Sequence, residues 1–163
     1  MYVAELPKPL KKDEQITLEL ESMLIGATYP WPAAIAQSDK QSLQLDTNLF
    51  VLSPYHTTVQ RTKIRLSNPT VHSYTEPKNV GAYTLEAPVT KSGATLTYGP
   101  FNNIPASTNK EFVTNSQQAI TVHFSHELPI LQIPRMTRTA EISHWGANLN
   151  IEDKIHLYNA GPK

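Results

Sequence analysis

The chain has 163 residues, enough to bury a core of ordinary domain size, and its 14 basic and 14 acidic side chains cancel. This balance argues against a nucleic-acid partner, because a nucleic-acid-binding domain carries a basic excess. The chain has no cysteine for disulfides or thiolate zinc sites. No apolar run approaches the ~20 residues needed to cross a bilayer, so we expect a soluble segment without a membrane span.

The opening third predicts a strand followed by a proline-rich turn. The run Gln15–Glu21 alternates apolar and polar residues, as a half-buried strand does. Its inward face would consist of Ile16, Leu18 and Leu20. Two prolines then hold Tyr29–Ala33 in an extended or turn geometry. Trp31 between them is either an exposed recognition aromatic or a lid on the core, and we favour the lid because large apolar surfaces are usually buried.

The next segment predicts a hairpin and a basic strand. Within Gln41–Leu52, the polar triplet Asp46–Asn48 interrupts an apolar pattern and indicates a turn. Thr58–Leu66 alternates again and predicts a strand. Its outward face would carry Arg61, Lys63 and Arg65. This basic row would either grip an anionic ligand or form a solvated edge that discourages aggregation, and we favour the edge.

The middle of the chain predicts two short strands. Val71–Tyr74 has strand character, and Thr95–Tyr98 is a strand that the following Gly99 and Pro100 should end. Tyr98 and Phe101 would then flank the turn and pack together.

The C-terminal third predicts two hairpins. Ala119–Phe124 should place Ile120, Val122 and Phe124 on one face and pair with Ile130–Ile133. A further pair, Leu149–Ile151 and Ile155–Leu157, would turn at Asp153 and Lys154.

The fold class that follows is mainly β, an antiparallel sandwich-like domain. The 13 prolines are scattered where they would break helices, and no stretch has a convincing helical periodicity. We expect at most a short helical turn, near Ala33–Gln37 or Asn109–Val113.

The residues that invite a chemical interpretation do not form a catalytic or metal site. His123 and His126 lie three apart on a strand, so their side chains point to opposite faces and should not share a metal ion. Ser143 and His144 are adjacent and diverge in the same way, which leaves no nucleophile and base. A hydrolase is therefore the weakest function class. We interpret Trp145 as a buried packing anchor near a domain junction.

Several strings, taken in order, resemble the ribophorin I family, the non-catalytic subunit 1 of the oligosaccharyltransferase (dolichyl-diphosphooligosaccharide–protein glycosyltransferase) complex. They are Ile35–Gln41, Ser53–Tyr55, Ser73–Thr75, Tyr98–Phe101 and Met136–Gly146. The resemblance extends from about Ala33 to the end of the chain, and the ordered set is more specific than any one string.

The resemblance implies a luminal fragment of a type I membrane protein of the endoplasmic reticulum. Its complex transfers a preassembled oligosaccharide to asparagine, and the catalytic and metal-binding residues belong to another subunit. Other subunits, including the catalytic one, and nascent glycoproteins would be its partners. No catalytic, cofactor-binding or metal-binding residue is carried over, and no cofactor is expected. The fold implied resembles the N-terminal β-domain of zinc aminopeptidases, truncated at both ends.

The same resemblance predicts a domain division. Residues 1–137 would be the C-terminal part of a first luminal β-domain, and residues 138–163 the junction and opening strands of a second. Sheets that lack strands expose their edges, so we expect self-association. The candidates for partner contact are Trp31, Tyr55, Tyr98 and Phe101. The alternative function is a stand-alone carbohydrate- or peptide-binding β-module.

Overall fold

The computed structural model describes residues 5, 6 and 8–163, and it confirms a mainly β, antiparallel fold within that part of the chain. The described elements are β1 (Thr28–Pro30), β2 (Ser42–Asn48), β3 (Thr57–Arg65), β4 (Val71–Tyr74), β5 (Val89–Ser92), β6 (Thr95–Ile104), α1 (Lys110–Asn115), β7 (Ala119–Ser125), β8 (Leu131–Ile142) and β9 (Leu149–Asn159). Within the described residues, no helix has the length and apolar character to span a membrane.

The first sheet has the strand order β1-β2-β7-β4, and every neighbouring pair is antiparallel. Its inward face confirms the alternation predicted for β7, because Ile120, Val122 and Phe124 are all buried. Leu43 of β2 lies opposite Phe124 and is buried with it. The intervening residues of both strands face outward, which gives this sheet one apolar and one polar face.

The second sheet has the order β3-β6-β5 and packs its inward face against the first, so that the two form a sandwich. The strand predicted at Thr58–Leu66 is confirmed as β3. The prediction that Gly99 ends a strand is wrong, since β6 runs through it to Ile104. Gly99 has a φ of +89°, and a Cβ there would lie 2.8 Å from the carbonyl oxygen of Gln60. Glycine therefore lets the strand bend without ending it.

The core is centred on Phe50, whose ring packs edge to face against three other aromatic rings. Tyr83, Phe101 and Phe112 lie with ring centroids 5.2–5.3 Å from that of Phe50. Phe112 belongs to α1, which begins after Asn109, whose side chain accepts the backbone N–H of Phe112. This short helix confirms the turn expected near Asn109–Val113 and closes one end of the sandwich.

Two of the local predictions are wrong, the strand at Gln15–Glu21 and the turn at Asp46–Asn48. Gln15–Glu21 forms no strand, and Leu18 and Leu20 are 66% and 79% exposed, because none of the strands that the structure describes pairs with this segment. Asp46–Asn48 is not a turn but the end of β2, and its residues pair with β7 up to Ala119. Apolar alternation marks a candidate strand, but only a partner ladder makes one.

The third sheet is a two-stranded ribbon, β8-β9, which replaces both hairpins predicted for the C-terminal third. Ile130–Ile133 does not pair with β7, and Asp153 and Lys154 do not form a turn, since they lie opposite Arg138 and Thr137. The ribbon joins the sandwich at its base. There Gln41 Nε2 donates to the carbonyl of Leu128 at 2.9 Å, and the Lys163 N–H donates to the carbonyl of Ala33.

Candidate interaction surfaces

The outward face of the first sheet carries a polar network centred on Asp46. Tyr29 Oη donates to Asp46 Oδ2 at 2.6 Å, and Thr121 Oγ1 donates to Oδ1 at 2.7 Å. Gln44 Nε2 contacts both Tyr29 Oη and Asp46 Oδ1. These residues come from three adjacent strands, and the strand register places Tyr29 opposite Gln44 and Asp46 opposite Thr121. Sequence reasoning missed this network because it interpreted Asp46 as a turn residue.

The network shifts the pKa values of its two titratable members in opposite directions. The hydrogen bond from Thr121, followed by that from Tyr29, lowers the pKa of Asp46, and the bond to Asp46 raises the pKa of Tyr29. Because both carboxylate oxygens already accept hydrogen bonds, Asp46 presents a fixed polar pattern and is poorly suited to abstract a proton.

His123 and His126, the closely spaced histidine pair of the sequence, have different surroundings. The Nε2 of His123 lies 2.9 Å from the carbonyl oxygen of Trp31. The Nδ1 of His126 lies 3.0 Å from Ser67 Oγ. Among residues 5, 6 and 8–163, no three His, Asp or Glu side chains form a group that could hold a metal ion.

The ring of His123 instead lies beside that of His72, at an angle of 44°, because the pairing of β4 with β7 brings the two together. The ring centroids lie 4.7 Å apart. His72 Nε2 is also within 3.1 Å of Ser42 Oγ and 3.3 Å of Ser125 Oγ. The two histidines are 51 positions apart in the sequence, so only the strand pairing of the sheet could identify them as neighbours.

Trp31 and Tyr55 are the two predicted contact residues that the fold leaves accessible. Trp31 is 53% exposed, so the lid role that we favoured for it is wrong. It follows β1 by one residue, and its N–H donates to the carbonyl of Ser42. Tyr55 lies in the loop between β2 and β3 and is 77% exposed. Partner contact through these two residues stays a prediction.

Tyr98 and Phe101, the other two predicted contact residues, lie in the core with no exposed surface. Tyr98 Oη donates to the carbonyl of Thr75 at 3.0 Å, and burial raises its pKa to about 12. Phe101 packs against Phe50. Both side chains therefore stabilise the sandwich and are closed to a partner in this structure.

The loop between β8 and β9 holds Ser143, His144 and Trp145. Ser143 Oγ accepts the backbone N–H of Trp145 at 3.3 Å, a local turn contact. Trp145 is 97% exposed, so its interpretation as a buried packing anchor is wrong for this chain. Gly146 follows it in the same loop.

The β8-β9 ribbon has one apolar and one polar face, although both are open to solvent. Residues that lie opposite each other in an antiparallel pair share a face. The apolar ribbon face consists of Met136, Ala140, Ile142, Leu149, Ile151 and Ile155. At its centre, Arg138 binds Asp153 through two hydrogen bonds of 2.7 Å. The polar ribbon face consists of Arg135, Thr137, Thr139, Glu141, Asn150, Glu152, Lys154 and His156.

Comparison with known proteins identifies the lineage of this chain. The Ribophorin I family model matches residues 1–163. Dolichyl-diphosphooligosaccharide–protein glycosyltransferase subunit 1B of Oryza sativa subsp. japonica is 32% identical over 161 residues, which are 99% of this chain and 30% of that protein. Subunit 1A of Arabidopsis thaliana and subunit 1 of Caenorhabditis elegans are each 29% identical over 161 residues. The match covers 99% of this chain in both, and 23% and 25% of those proteins.

The chain thus spans between about a quarter and a third of the length of these curated relatives. The family match extends over the segment before Ala33 as well, where the sequence strings gave no signal. With a family model that covers every residue, the chain belongs to the ribophorin I family.

Proposed function

We propose that this chain is part of a non-catalytic subunit of an oligosaccharyltransferase complex that N-glycosylates proteins in the endoplasmic reticulum. The observation that carries the proposal is the family match over residues 1–163, together with the subunit names of the relatives. The proposed partners are other subunits of the complex, including the catalytic one. Nascent glycoproteins, the substrates of the complex, are proposed as further partners. A match along the whole chain does not favour the stand-alone binding module.

A role in binding is supported by the hydrogen bonds that the exposed polar side chains already make within the fold. The carboxylate of Asp46 accepts hydrogen bonds from Tyr29 and Thr121. His123 engages a backbone carbonyl. Groups that are already paired suit recognition better than proton transfer, which needs an accessible base near the reacting atom. We assign the chemistry of the complex to another subunit.

The division into two luminal β-domains is part of this proposal. The boundary expected after residue 137 would cut β8, which is one strand from Leu131 to Ile142, so we place the opening of the second domain at the start of the ribbon. The support is the apolar ribbon face, where Ile142, Leu149 and Ile151 are 76%, 58% and 56% exposed. A two-stranded ribbon is marginally stable alone in water, and an uncovered apolar sheet face marks a contact. Further strands of a second domain would cover it. Self-association through exposed sheet edges stays a separate prediction.

The topology proposed for the whole protein is a type I membrane protein with this segment in the lumen. The test is protease protection of an epitope inserted in the exposed β8-β9 loop, beside Trp145, in sealed microsomes. Protection that is lost on detergent addition is expected. Cleavage in sealed microsomes would place the loop on the cytosolic side and overturn the luminal assignment.

Complex membership is tested with the full-length protein, tagged and purified from microsomes in mild detergent. The catalytic subunit should co-purify with it. Ile151→Lys places a charge on the apolar ribbon face, whereas Thr139→Lys adds the same charge on the polar ribbon face. We expect recovery of the catalytic subunit to fall several-fold for Ile151→Lys and to stay near wild type for Thr139→Lys.

The outcomes separate the two parts of the proposal. Failure of the wild-type protein to recover the catalytic subunit would overturn membership. Equal recovery of the catalytic subunit by the two lysine variants would leave membership intact. It would contradict the proposal that the apolar ribbon face is a contact surface.

A further inference from the structure

The outward face of the second sheet holds three cations in one row. Arg61, Lys63 and Arg65 alternate along β3 and are exposed, while Thr62 and Ile64 between them turn inward. The strand register places Lys63 opposite Thr97 and Arg65 opposite Thr95 of β6. Threonine hydroxyl groups therefore lie beside Lys63 and Arg65, whereas the register with β6 shifts at Arg61.

The three cations are not neutralised within the part of the chain that the structure describes. The ion pairs there are Arg138 with Asp153 and Lys154 with Glu152. Glu86 lines the same shallow groove as Arg61 and Lys63 but forms no ion pair with either. In a chain with no net charge, this row is a local excess of positive charge.

The row lies on an edge strand, because β3 is the first strand in the order β3-β6-β5. An edge strand offers backbone N–H and C=O groups to an added strand. Cations on that edge repel a second copy of β3, and they attract an extended segment with acidic side chains. The same row thus disfavours self-pairing at this edge and selects a partner of opposite charge.

The spacing of the row favours an extended polypeptide over a compact anion. Alternate residues of a strand lie roughly 6.5–7 Å apart, and alternate acidic residues of an added strand repeat at the same distance. Directly opposed side chains in neighbouring strands are close enough to pair. The phosphates of a diphosphate, joined through one oxygen, are too close together to meet successive cations of the row in this way.

We propose that the free edge of β3 binds an extended acidic segment of another polypeptide, with acidic residues at every second position facing Arg61, Lys63 and Arg65. The segment adds to β3 as a strand. Hydrogen bonds between the two backbones hold it in place, and the three cations select acidic side chains. This goes beyond membership in the complex, since it names a site and the chemistry of what it holds.

The test uses the purified 163-residue chain and fluorescence anisotropy of a labelled peptide with alternating Glu and Thr. Its comparison peptide has the same composition with the three Glu residues contiguous. The variant Arg61→Gln/Lys63→Gln/Arg65→Gln removes the row, and Lys8→Gln/Lys11→Gln/Lys12→Gln removes the same charge from an exposed segment outside the sheets. Unchanged urea midpoints establish that both variants fold.

We expect the row variant to bind the alternating peptide about tenfold more weakly than wild type, the combined effect of three exposed ion pairs. The control variant should stay within a factor of two. Binding should weaken with salt, and the β3 amides should gain hydrogen-exchange protection. Equal losses in the two variants, or equal binding of the two peptides, would overturn the proposal. Neither result bears on membership in the complex, which the co-purification decides.

Discussion

The sandwich and the β8-β9 ribbon are built from the same kinds of residue but differ in what covers them. In the sandwich, Leu96, Ile120 and Val122 have no exposed surface. In the ribbon, Ile151 and Ile155 are 56% and 51% exposed although they alternate just as regularly. The difference teaches that alternation specifies a face, whereas burial requires a second layer to meet it.

The largest contrast between the two regions should come from removing one aromatic side chain from each. Phe50→Ala deletes a ring that is 2% exposed and contacts three others, and it should cost ~3–5 kcal/mol of unfolding free energy. Trp145→Ala, the matched change in the ribbon loop, should stay within ~0.5 kcal/mol because Trp145 is 97% exposed. Urea denaturation followed by tyrosine fluorescence and circular dichroism measures both. Similar losses for the two variants would erase the contrast.

Two glycine-to-alanine substitutions compare the backbone of the sandwich with that of the ribbon loop. Gly99→Ala should cost at least about 1–2 kcal/mol for the left-handed conformation alone. The new Cβ would also lie 2.8 Å from Gln60 O and Phe101 N. Gly146→Ala in the ribbon loop is the control, since its nearest neighbour atom would lie at 3.8 Å, and the change should leave stability within ~0.5 kcal/mol. A soluble Gly99→Ala protein with wild-type stability would contradict the account of β6.

The smallest effect is expected at the exposed ion pair of the ribbon. The hydrogen bond from Arg138 lowers the pKa of Asp153, so the pair stabilises the ribbon above the usual Asp range and is lost as pH falls through the lowered pKa. Asp153→Asn should speed hydrogen exchange of β8 and β9 amides at neutral pH without moving the global unfolding midpoint.

The pH dependence provides the check. The difference in protection between Asp153→Asn and wild type should shrink as the pH falls below the usual Asp range and through the lowered pKa of Asp153, where the wild-type carboxylate also becomes protonated. Glu152→Gln on the polar ribbon face is the control, because the Glu152 pair with Lys154 is longer, at 3.3 Å. A pH-independent difference would rule out the ion pair as the cause.

The sequence could not predict which of the candidate contact residues are exposed, because their exposure depends on strand pairings between distant segments. Tyr98 and Phe101 looked like turn residues, since a glycine and a proline follow Tyr98. Their burial follows from the continuation of β6 to Ile104. Trp31, in contrast, looked like a lid because tryptophan is usually buried, yet the fold leaves half of it open. Residue propensity does not tell which side chains the rest of the fold will cover.

By itself, the sequence determined the β class and the inward faces of β3 and β7, because these follow from period-two alternation. It left two places open for a short helical turn, and the structure forms the helix after Asn109. The ordered strings of the sequence also indicated the ribophorin I family. The tertiary structure alone decided that Asp46 joins Tyr29 and Thr121, that Leu18 and Leu20 find no partner, and that β8 pairs with β9. The physical reason is that a strand is completed by a neighbour from elsewhere in the chain, and local pattern carries no record of which neighbour that is.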